Sequence, residues 1–178
     1  MRRISGLAVR GLVVSGLVVV LAACGHQSPQ IPSQRKGQAP QVDSTQLVLM
    51  QFNQQMAQAA DEQLAAYVQK LDEPYALYEG NVWATVLEQG DIYDSPKDGE
   101  EWTVHMRIYS LDGQLLTDSE GTYHVGKQEL PAAVDKNMTE WHRGCSIRMF
   151  APWYSAYGLQ GTEHVPPYEN VMIEIELK

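Results

Sequence analysis

Val171-Met172-Ile173-Glu174-Ile175-Glu176-Leu177-Lys178 puts Val171, Ile173, Ile175 and Leu177 on one side of an extended chain and Met172, Glu174, Glu176 and Lys178 on the other. A period of two with one apolar and one mainly polar side belongs to a strand that faces a core on one side and water on the other, as antiparallel sheets do. Upstream, Val82 to Leu87, Thr103 to Tyr109, Leu115 to Thr117 and Ser146 to Ala151 are short runs of strand type, divided by turn signals such as Asp112-Gly113. One segment between them has a helical spacing. Pro131 sits where a short helix begins, Val134, Met138 and Trp141 share a face, and Gly144 suits its C-terminal cap. The expected fold is α+β, an antiparallel sheet wrapped over one short helix across residues 75–178.

Ahead of the sheet the period changes. Leu49, Phe52, Met56, Ala60, Leu64, Tyr67 and Leu71 recur at intervals of three and four, and Asp43 or Ser44 can cap the first turn, so a long amphipathic helix is expected over residues 45–72. At 1.5 Å per residue it is about 40 Å long, more than a small domain requires. Its apolar stripe serves either packing on its own domain or a homodimer through residues 45–71. A membrane-surface helix is disfavoured, because the polar face of Asn53, Gln54, Gln58, Asp61, Gln63 and Lys70 lacks the run of basic residues such helices use.

The first residues have another character. Arg2, Arg3 and Arg10 precede an uncharged run from Gly11 to Ala23, too short to span a membrane. That is the pattern of a secretory signal over residues 1–23. Leu21-Ala22-Ala23-Cys24 resembles a bacterial lipobox, in which the cysteine takes a diacylglycerol and becomes the first residue after cleavage. The expectation is a lipid anchor at Cys24. Gly25 and Gln27 carry no acidic retention signal, so the expected location is the outer membrane, facing the periplasm. Residues 24–44 contain three prolines after Cys24, five glutamines and no aromatic residue, which reads as a disordered tether. As a flexible coil it spans about 25 Å.

Composition removes several function classes. The 178 residues are 44% hydrophobic and 20% charged, which fits one globular domain with additions. Thirteen Lys and Arg stand against 22 Asp and Glu, a net charge of −9 without a basic stripe, so nucleic acid is not an expected partner. Cys24 and Cys145 form neither a disulfide framework nor a zinc spacing, and Cys145 is expected to be buried. Gly121 and Gly126-Lys127 have the spacing of a phosphate loop, but Gln128 replaces its Ser or Thr and Thr122-Tyr123-His124-Val125 is strand-like. His26, His105, His124, His142 and His164 are scattered, and no GxSxG elbow occurs. Neither a metal nor another cofactor is implied.

The nineteen residues Pro152 to Asn170 show no strand or helix pattern. Loops of this length are commonly functional. Trp153, Tyr154, Tyr157 and Tyr168 beside Pro166-Pro167 suggest an aromatic surface suited to an apolar peptide groove.

Val104-His105, Asp112-Gly113, Gly126-Lys127-Gln128-Glu129, Ala156-Tyr157-Gly158, Pro166-Pro167 and the closing strand stand in the order found in FKBP-type peptidyl-prolyl isomerases. Residues 80–178 resemble that family, and with the lipobox and the preceding helix the chain is similar to lipid-anchored FKBP proteins associated with gliding motility. The resemblance implies proline-containing polypeptide clients and catalysis without a cofactor. It maps the proline pocket to Met106, Leu116, Thr117, Leu130, Val134, Tyr157, Val165 and Ile173. Tyr157 would donate a hydrogen bond to a substrate carbonyl, or else brace the loop. Departures are Val134 for the family's tryptophan, Met106 for a tyrosine, Leu116 for a phenylalanine and Thr117 for an aspartate. Asp118 is one position away, on the other side of a regular strand. Two functions follow from the resemblance: an isomerase assisting exported proteins, or a weakly active or inactive binding module using the same groove.

Overall fold

The computed structural model describes residues 43–178, so the segment expected to be a signal peptide, Cys24 and nearly all of the expected tether lie outside the described residues. Helix α1 spans Ser44–Val68, and the Asp43 carboxylate caps it by accepting the Thr45 N–H. It stops short of the expected Leu71. The Lys70 and Leu71 N–H groups bond three residues back, to Tyr67 and Val68, and Pro74 follows, which cannot extend a helix.

Six strands follow: β1 Ala76–Tyr78, β2 Val82–Glu88, β3 Glu101–Ser110, β4 Leu115–His124, β5 Ser146–Ala151 and β6 Val171–Leu177. They form one sheet in the order β1-β2-β5-β6-β3-β4, antiparallel at every junction. The alternating strand β6 lies inside the sheet, where Ile173 stands between Ile108 of β3 and Met149 of β5. Strand β4 runs seven residues beyond the expected Thr117, to His124. Its inward positions include Ser119 and Gly121, so the hydrophobic alternation that marks the other strands is absent there.

The short helix is two pieces: α2, Ala132–Asp135, and a single 3-10 turn at Met138–Glu140. Val134, Met138 and Trp141 nonetheless all enter the core. Gly144 caps neither piece. At φ +77° it donates its N–H to the Leu177 carbonyl and ties the chain to the end of β6.

The sheet buries both faces, unequally. Its inner face, including Val104, Ile147 and Ile175, closes on α2 and forms the main core. Cys145 belongs to that core, and burial pushes its thiol pKa up. On the outer face Leu64 and Val68 of α1 cover Phe150, with Trp83, Leu111 and Met172 at the margin. Beyond that helix the outer face is charged: Arg107 pairs with Glu174 and Glu176, and Arg148 with Glu174. Helix α1 therefore packs on its own domain through its second half, while Leu47, Val48, Leu49, Met50 and Phe52 in its first half stay exposed.

Candidate functional site

Alternation along the inner strands sets the base of the site. Met106 and Ile173 point inward and join Leu130, Val134 and Val165 in one buried cluster. Leu116, Tyr123 and Tyr157 lie on this cluster but remain partly exposed, so they supply the surface above it. Val134 and Ile173 have no exposure at all; they support the site from beneath. Thr117 faces inward opposite Ile108 and is half-buried.

Asp118 is on the opposite face. The register shifts between Ile108 and Tyr109, where Leu116 forms the extra residue, and Asp118 is paired with Arg107. Its carboxylate is 2.7 Å from His105 Nε2, on the outward side of the sheet. The irregularity therefore does not turn Asp118 toward Tyr157.

The loop carrying Tyr157 is fixed by backbone groups. The Gly158 N–H donates to Trp153 O at 2.7 Å, Gly161 N–H to Tyr157 O at 3.2 Å, and Ala133 N–H of α2 to Ser155 O at 2.7 Å. Ser155 Oγ donates to the Gly80 carbonyl, tying the same loop to the β1–β2 turn. At Gly161 the chain takes φ +63°, and a side chain would collide with the Val165 carbonyl, so glycine is required for the loop to fold back on itself. Among the described residues the Tyr157 hydroxyl has no hydrogen-bond partner, and it is not among the sealed polar atoms. Burial, with a smaller contribution from neighbouring Tyr123, pushes its pKa up to about 12.

The other aromatic residues of the loop do not line this surface. Trp153 is buried and its indole N–H reaches the Met56 carbonyl of α1. Tyr154 donates to Asp61, and Tyr168 to Asn53 at 3.2 Å. The expected aromatic peptide groove is thus reduced to Tyr157 from this loop, because α1 occupies the side on which Trp153, Tyr154 and Tyr168 lie.

Buried polar residues that the sequence reading passed over shape the rest. Asp135 of α2 accepts the N–H groups of Gly126 at 2.9 Å and Gln128 at 3.2 Å and holds the loop leading to Leu130. Asn137 accepts the Glu79 N–H and donates to the Glu79 and Ala133 carbonyls, joining α2 to the β1–β2 hairpin. Polar side chains beside a Gly-containing turn were the available signal, since such a turn leaves N–H groups to be satisfied.

An antiparallel sheet wrapped on a short helix, with a tyrosine of the loop before the last strand placed over its apolar face, is the architecture of the FKBP-type isomerases. Residues 93–178 match the model of the FKBP-type peptidyl-prolyl cis-trans isomerase family. The structure is similar to FkpA from Escherichia coli, with a TM-score of 0.58 at 18% identity over 75% of this chain. The match covers 63% of that FkpA chain, less than two thirds of its length. A peptidyl-prolyl cis-trans isomerase from Pseudomonas syringae pv. tomato matches with a TM-score of 0.57 at 18% identity, over 68% of this chain and 92% of its own. At such identities the likeness is one of fold. Comparison with curated proteins finds no match.

Proposed function

We propose that this chain accelerates cis-trans isomerisation of X-Pro bonds in polypeptide clients, binding them over the surface formed by Tyr157, Tyr123 and Leu116 above the buried Leu130 and Val165. The observation that carries the reading is the Tyr157 hydroxyl, without a partner among the described residues and set over an apolar cluster. Because the loop is braced by backbone bonds and by Ser155, that hydroxyl is free to donate to a client carbonyl.

The reaction requires no nucleophile, metal or general base. An X-Pro amide rotates over a barrier of about 18–20 kcal/mol, and a site that binds the twisted amide better than the planar one lowers it, each 1.36 kcal/mol giving about tenfold. An apolar surface favours the proline ring, while the tyrosine steadies a carbonyl whose conjugation is lost in the twisted state. Met106, Thr117, Val134 and Ile173 act through shape, beneath or beside the client.

A second reading, a binding module with weak or no catalysis, is favoured by two particulars. Val134, where the family resemblance places tryptophan, is wholly buried, and Asp118 is turned away. An isomerisation assay by exchange NMR on an X-Pro peptide separates them: acceleration supports the enzyme, and no acceleration with suppressed aggregation of an unfolded client supports the module. The clients we assign are exported proteins whose slow folding step is X-Pro isomerisation. The anchor at Cys24 and the tether would hold the domain on the periplasmic side of the outer membrane. The exposed apolar turn from Leu47 to Phe52 supports joining of two copies through α1.

A further inference from the structure

A cavity of about 670 Å³ opens between the outward side of α2 and the loop from Val125 to Pro131, sharing Leu130 with the Tyr157 surface. Its size is that of sites which enclose a small molecule or a long side chain with its neighbours. Val125, Leu130, Pro131, Ala132 and Ala156 give it apolar walls. Its charged lining is Asp98, Asp135 and Lys136, two carboxylates to one ammonium.

Asp135 is 7% exposed. Its two oxygens each accept one backbone N–H, yet among the described residues it has no cationic partner. The lysines nearby in sequence are held by other carboxylates: Lys136, itself on the lining, by Glu79 at 2.9 Å, and Lys127 by Asp98 at the rim at 3.7 Å. A buried carboxylate beside an apolar void is best satisfied by a cation that brings its own apolar stem. Lysine and arginine side chains have that form.

We propose that this cavity is a subsite for a basic side chain of the client, a few residues from the proline, so that the domain selects proline segments flanked by Lys or Arg. The inference rests on the groove reading above, because continuity through Leu130 makes one client chain the occupant of both places. The aliphatic stem lies along Leu130, Pro131 and Ala156, and the charged end reaches Asp135, with Asp98 at the rim.

The test uses the purified full chain and short peptides with one X-Pro bond and Lys, norleucine or Glu at each of four positions on either side of the proline. Exchange NMR gives the isomerisation rate. At one position Lys should exceed norleucine by about fivefold at low salt, the factor that corresponds to about 1 kcal/mol, and Glu should fall below both. Asp98→Asn should reduce the preference, and Ala132→Leu, which fills the cavity from α2, should abolish it while the norleucine peptide keeps its rate. Equal rates for Lys, norleucine and Glu at every position would overturn the subsite while leaving the isomerase reading intact, as would a preference untouched by both variants. Absence of acceleration with every peptide would instead remove the enzyme reading. Fluorescence anisotropy with the same peptides then decides the subsite: tighter binding of Lys than Glu, lost in Ala132→Leu, upholds it, and equal binding overturns it.

Discussion

Tyr157 is positioned by its neighbours' backbone bonds, which separates its chemical role from its structural one. Tyr157→Phe removes only the hydroxyl, so the isomerisation rate should fall while stability to denaturant changes by less than about 1 kcal/mol. An unchanged rate with lost stability would make the residue a brace. The raised pKa has a definite consequence. With Tyr157 and Tyr154 both pushed up to about 12 from the usual 10, their protons are held in the folded chain across the neutral range. The isomerisation rate should therefore show no tyrosine titration between about pH 6 and 9. Below about pH 10 folded and unfolded chains alike keep these protons, so no stability is lost there; above it the unfolded chain releases them first, and stability should fall as pH rises toward 12, as thermal melts in alkaline buffers would record.

Helix α1 has two halves with different surroundings. Leu64 is fully buried against the outer face of the sheet, whereas Val48 and Met50 are 65% and 64% exposed. Leu64→Ala should cost about 2–5 kcal/mol in denaturant unfolding, because the sheet cannot collapse into the space left. Paired Val48→Gln and Met50→Gln changes should leave that stability within about 0.5 kcal/mol. If two copies join through the first half of α1, sedimentation of this double variant should show a monomer where the parent chain shows a dimer; a monomeric parent would leave the exposed turn without that role. The polar bonds from Tyr154, Tyr168 and Asn170 to Asp61, Asn53 and Gln63 explain why the aromatic loop serves the helix.

At the scale of the whole chain, the expected order is anchor, tether, helix and domain. Cys24→Ser should move the protein from the membrane to the soluble fraction on cell fractionation and prevent incorporation of labelled fatty acid. Incorporation persisting in that variant would show that the lipid attaches elsewhere. A released protein that still isomerises an X-Pro peptide at the parent's rate would place catalysis in the folded domain alone, as the backbone-braced site at Tyr157 requires.

The periodicity of Val171 to Leu177 was sufficient to assign an inner and an outer side to β6, because neighbouring side chains on a strand alternate whatever the strand pairs with. The same local logic exposed the long helix, the apolar face of Val134, Met138 and Trp141, and the ordered residues that carry the FKBP resemblance. Local pattern does not contain the partner of a face. Only the tertiary structure divided α1 into a covered and an exposed half, turned Trp153, Tyr154 and Tyr168 toward that helix, and set Asp118 against His105. It also placed Asp135 under a loop whose N–H groups it satisfies, and set the Tyr157 hydroxyl above the core without a partner among the described residues. Those outcomes depend on which distant backbone group or apolar surface is brought within about 3–4 Å, and that proximity is a property of packing between elements.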